Sequence, residues 1–107
     1  MEITLHKPIE KDGQTIGKVT LNLETLKGRH LVEAEQEARL RGNVSVNPLY
    51  TEEGKALVAA KASGLIVDDI LDLAAPDFMR ITTEVNIFLH GMGLPMTTPS
   101  ESSEKQS

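Results

Sequence analysis

Four aspartates, Asp68, Asp69, Asp72 and Asp77, lie within ten positions and are the chain's best case for metal binding or acid/base work. A Ca²⁺ or Mg²⁺ site needs oxygens converging at about 2.0 to 2.6 Å, and loop-type calcium sites alternate their ligands around a glycine-assisted turn. No such spacing occurs here. Asp68 and Asp69 would point to different sides of a helix, so helix-start electrostatics and a solvated face explain the group better than a metal does. The three histidines, His6, His30 and His90, form no HxxxH or HExxH pattern, the spacings that set two histidine ligands on one helical face. His90 reads as a cation favoured near a helix C-terminus when protonated. The serines gather after residue 95, away from any histidine or glycine-framed nucleophile turn, and no phosphate-cradling glycine loop appears. No catalytic, cofactor-binding or metal-binding residue is assigned, and the chain is read as non-enzymatic.

Composition narrows the remaining classes. The 107 residues are enough for one small core. Aromatic residues make up 3% of the chain, so aliphatic packing must carry its stability. A net charge of -5 with scattered acids disfavours nucleic acid, which needs a clustered basic face. There is no cysteine, which excludes disulfide and thiolate chemistry and fits a reducing compartment. No signal-peptide segment and no run of about 18 apolar residues is present, so the expectation is a soluble cytosolic protein without membrane contact.

What is left is surface, and the stretch DFMRITTEVNIFLHGMG over 77–93 presents most of it. Phe78, Ile81, Val85, Phe88 and Met92 recur at alternating steps of three and four, the seam of an amphipathic helix. With Leu89 added, and Met79 and Ile87 flanking, the apolar arc is wider than one seam needs. Either all of it packs inside the domain, or part of it meets another chain, as helix-in-groove contacts do at this spacing. Phe78, Ile81, Val85, Phe88 and Leu89 are the candidate contact residues.

The elements that must position this arc follow from patterning. Glu2 to His6 and Gly17 to Leu23 alternate apolar and polar residues, with Pro8 ending the first strand and Asp12-Gly13 supplying a turn, which predicts an antiparallel hairpin. A helix is expected within TLKGRHLVEAEQEARLRG, with Leu31, Ala34 and Ala38 inward and Gly42 as its stop. NVSVNPLY reads as a connector. Thr51 looks like an N-cap for a helix to Ala62, stopped by Ser63-Gly64. LIVDDILDLA predicts a short helix. Ala75-Pro76 then starts the last one, which Gly91 and Gly93 end. LPMTTPSESSEKQS has too little apolar surface to offset the entropy of ordering. The expected organisation is a single α+β domain over 1–93, an N-terminal antiparallel β-hairpin followed by about four α-helices with the last two forming a helical hairpin, and a disordered tail over 94–107.

The order of features resembles the tail assembly chaperones of long-tailed bacteriophages, the Mu-like contractile-tail group, over about residues 2 to 90. Its most specific part is the block represented by Ile70, Leu73, Asp77, Phe78, Ile81, Val85, Phe88 and Leu89; the strand phrase Ile3, Leu5, Lys7, Pro8 and Ile9 supports it. The chain departs from the family where a gly-Asp-leu phrase often opens the first long helix, having Gly28, Arg29, His30 and Leu31 instead. The resemblance implies a non-enzymatic protein of the host bacterial cytoplasm, without cofactor and absent from the mature virion. It would bind and solubilise the tape measure protein, the long helical chain that sets tail length. A longer, frameshifted form in related phages recruits tail tube subunits, and homo-oligomers are a further expectation. The alternatives are a structural tail component retained in the virion and a small prophage-encoded protein-interaction module.

Overall fold

The computed structural model describes residues 1–92. Gly93 and the expected tail over 94–107 lie outside the described residues. The N-terminal hairpin pairs β1 (Glu2–Lys11) with β2 (Gln14–Thr20), antiparallel, and Lys11 faces Gln14 across a two-residue turn. Both turn residues have positive φ, 53° at Asp12 and 78° at Gly13. This conformation matches the twist of the strands and is tolerated best by Asp-Gly and Asn-Gly.

Contrary to the expectation from Pro8, β1 does not end there. The register jumps between Thr4, opposite Lys18, and Ile9, opposite Ile16. Pro8 sits in that bulged stretch, where a missing N–H breaks no ladder bond. The pairing also reaches past β2, since the Met1 ammonium donates to the Leu21 carbonyl at 3.0 Å and the Leu21 N–H donates to the Met1 carbonyl at 2.8 Å. One face of the hairpin, Ile3, Leu5, Val19 and Leu21, is buried, while Glu2, Thr4, Lys18 and Thr20 are exposed.

A one-turn 3-10 segment, Leu23–Thr25, precedes α1 (Gly28–Leu40). Leu26 is extended, so α1 begins later than helix propensity alone suggests. At its start the His30 Nδ1 reaches back and accepts the Lys27 N–H at 2.9 Å. Ala34 and Ala38 are fully buried, Leu31 only partly. Glu35 pairs with Arg39 along the helix at 3.1 Å, whereas Glu33 reaches across to Lys61 at 3.4 Å.

The core is centred on α2 (Glu52–Ser63), in which Ala56 to Ala60 and Ala62 are all buried. Small side chains on every side let α1, α4 and the hairpin approach one helix closely. The Thr51 hydroxyl caps it, accepting the Gly54 N–H at 3.0 Å, and Gly64 ends it at φ 78°. Over its first turn lies the 3-10 segment Pro48–Tyr50, so close that a Cβ on Gly54 would overlap the Pro48 carbonyl.

α3 (Val67–Leu71) is short and buries Val67 and Ile70. α4 (Ala75–Ile87) carries Pro76 in its first turn and continues as a π-helical turn over Phe88–Met92. The two helices follow one another around Ala75-Pro76 as expected, but the partner each packs on is α2. With only five residues, α3 is too short to lie along α4. The architecture is α+β, with the hairpin and α4 on neighbouring sides of the central α2.

Candidate protein-docking face

α4 presents three kinds of surface. Ile81 and Val85 point inward and are fully buried, as are Asp77 and, nearly so, Thr82. Phe78, Phe88 and Leu89 are partly buried against the same core. Met79 and Ile87 turn outward, 58% and 54% exposed, on a row that runs through Thr83. Residues four apart share a helix face.

Of the five candidate contact residues, then, Ile81 and Val85 have no surface to offer while the domain is closed. The other three lie at the margin of the core. Met1, Met79 and Ile87 were not among the candidates, although the excess width of the apolar arc was the signal that could have found the last two.

Two shallow hollows run beside this outer row. The first, about 360 Å³, is lined by Met1, Glu2, Ile3, Met79, Arg80, Thr83 and Glu84. The second, about 340 Å³, is floored by Met1, Leu21, Leu23, Ile87 and Phe88 and edged by Glu24 and Glu84. Met1 and Glu84 belong to both, so the hollows adjoin along α4.

Asp77 holds α4 in this position. Its Oδ1 accepts the His6 N–H at 2.9 Å and its Oδ2 accepts the Lys7 N–H at 3.0 Å. These are two consecutive donors that the β1 bulge has freed from the ladder. Arg80 completes the join, donating to the Thr4 carbonyl at 2.7 Å and standing 3.6 Å from Asp77. The His6 N–H bond, reinforced by the Lys7 bond and the nearby positive charges, outweighs burial and holds the Asp77 carboxyl below its ordinary value of 3.8. The solvated face expected for this aspartate is corrected accordingly. Its position in the first turn of α4 stands, but its side chain is buried and bonded to the hairpin.

Asp69 makes a second tie to β1. Its Oδ2 meets the Lys11 Nζ at 2.8 Å and accepts the Ile66 N–H at 3.2 Å, which lowers its own pKa and raises that of Lys11, the side-chain hydrogen bond being the main cause of both shifts. Asp68 and Asp72 are exposed. No group of three or more histidine, aspartate or glutamate side chains converges as metal ligands would, among the described residues.

A larger hollow, about 600 Å³, lies elsewhere, between α1, α2 and the start of α3. Of its charges, Arg41 pairs with Glu53 at 3.1 Å and Asp68 at 3.8 Å, and Lys61 with Glu33, while Glu37 makes no ion pair among the described residues. His90, past the end of α4, has its Nδ1 2.9 Å from the Asn86 carbonyl and its ring edge-on to Tyr50. Leu40, Val44 and Val46 are about nine-tenths exposed where the chain leaves α1, but line none of these hollows. No helix among the described residues is long and apolar enough to cross a membrane.

Residues 2–90 match the family described as "Phage tail assembly chaperone proteins, E, or 41 or 14". No curated protein and no solved structure matches the chain at a significant level. Since the match runs from the first residue of β1 to His90, beyond the end of α4, the chain belongs to the phage tail assembly chaperone family.

Proposed function

We propose that this chaperone binds the tape measure protein of its phage and keeps it soluble until tail tube subunits enclose it. The observation that carries the reading is the exposed apolar row on α4 beside two adjoining hollows, on a chain of net charge -5. Long apolar helices associate with one another unless covered. Covering side chains that are half exposed, as Met1, Met79 and Ile87 are, contributes on the order of 1 kcal/mol each. A contact of that size is weak and reversible, so a long client would take many copies. The negative charge of those copies would keep the coated chain in solution. The role is non-enzymatic, performed in the host cytoplasm, and ends before the virion is complete.

Coexpression with the tape measure protein of the same phage tests the proposal. The expected result is a soluble complex that co-purifies. A tape measure protein that stays equally insoluble and brings down no chaperone contradicts it, and detection of this chain at fixed stoichiometry in purified virions would make it a tail component instead.

A further inference from the structure

The rim of the α4 hollows carries unbalanced charge. Glu24, on the 3-10 turn, and Glu84, on α4, line the second hollow from two different elements, and neither makes an ion pair among the described residues. The neighbouring charges are already engaged. Arg80 is held by the Thr4 carbonyl and Asp77, the Met1 ammonium donates to the Leu21 carbonyl, and Glu2 lies 3.9 Å from Lys18. The apolar floor is therefore bordered by two carboxylates that have no cation of their own.

We infer that the hollow beside Ile87 and Phe88 receives an amphipathic helix whose apolar anchors are flanked by lysine or arginine, the cations pairing with Glu24 and Glu84. This rests on the reading of the outer edge of α4 as the docking face, and adds to it which helices are accepted. The row of Met79, Thr83 and Ile87, spaced four apart, is a ridge of the kind that packs into the grooves of another helix. Charge at the rim selects among apolar helices that the floor alone would treat alike, and it disfavours a client helix with acidic flanks by like-charge repulsion.

Two fluorescently labelled synthetic peptides test it, with the same leucine anchors at helical spacing and either lysine or glutamate at the flanking positions. Anisotropy titration of the native chain should show the lysine peptide binding about fivefold tighter at low ionic strength, the factor expected of two partly exposed ion pairs. The advantage should shrink as salt is added. In the double variant Glu24→Lys, Glu84→Lys, checked for native helicity by circular dichroism, the preference should reverse. Ile87→Asp should weaken both peptides.

Equal affinity of the native chain for the two peptides would overturn the inference while leaving the tape measure proposal intact, and this comparison needs no variant. Binding of neither peptide, with the tape measure protein still solubilised in coexpression, would overturn it too and move the client elsewhere on the chain. A dimer that Ile87→Asp dissociates, with no peptide bound, would make the hollow a self-contact and equally overturn it.

Discussion

The Asp77 carboxylate accepts the backbone N–H of His6 at 2.9 Å from 71 positions further along the chain. Its other oxygen takes the adjacent N–H of Lys7, so a single buried side chain fastens the start of α4 to the bulge of β1. That join sets which face of α4 is enclosed and which is left outside.

Replacing Asp77 should therefore be among the costliest polar substitutions in the domain. Asp77→Ala leaves two partly buried donors without an acceptor, and Asp77→Asn keeps an acceptor for only one of them. Urea denaturation should rank Ala as more damaging than Asn. Both should fall well below Asp72→Ala, an exposed position that should stay within about 0.5 kcal/mol of the native chain. Equal stability of the Ala and Asp72 variants would contradict the role given to Asp77.

Acid should loosen the same join. Asp77 and Asp69 both titrate below their ordinary value of 3.8 in the folded chain. Their contribution is thus fully present above that value, and is lost as pH falls from it through the lower folded values. For Lys11 the sign reverses. Its folded pKa lies above 10.5, so its contribution holds below that pH and disappears in stronger alkali. Thermal melts across the acid range should show stability flat near neutrality and falling below about pH 4, with a shallower fall in Asp77→Asn.

Gly54 tests the packing around α2. Alanine in a helix interior gains up to about 1 kcal/mol over glycine. Here its Cβ would overlap the Pro48 carbonyl and crowd Leu49 Cα at 2.7 Å. Gly54→Ala should lower stability in spite of the propensity gain, with a smaller Tm the readout. A rise in Tm would mean that the Pro48–Tyr50 turn yields easily.

Core and face on α4 separate by substitution. Ile81→Ala removes a fully buried side chain and should cost about 2 to 5 kcal/mol in urea denaturation. Ile87→Ala, at a position 54% exposed, should stay within about 1 kcal/mol of the native chain while weakening the tape measure complex in pull-down. An Ile87 variant with undiminished binding would remove this residue from the docking face.

Much of this architecture was legible in the sequence because it is local. Asp12-Gly13 specifies the hairpin turn, Thr51 and Gly64 bracket α2, and Pro76 opens α4. The seam through Ile81 and Val85 follows from helical spacing alone. What could not be read was long-range. Asp69 and Asp77 look like ordinary helix-start acids until the fold brings Lys11 and the bulge to them across 58 and about 70 positions. Pro8 looks like a strand end because nothing nearby reveals a bulge that takes it. The apolar arc had its width in plain view, but only packing on α2 and β1 decides that Ile81 and Val85 are enclosed and Met79 and Ile87 are left out.

Amide hydrogen exchange of the chain, free and in complex with the tape measure protein, tests the docking face most directly. The account predicts new protection on α4 from Met79 to Phe88 and along the neighbouring Leu21 to Glu24 segment. Protection confined to the end of α1 and the loop through Val44 and Val46, with α4 unchanged, would contradict it.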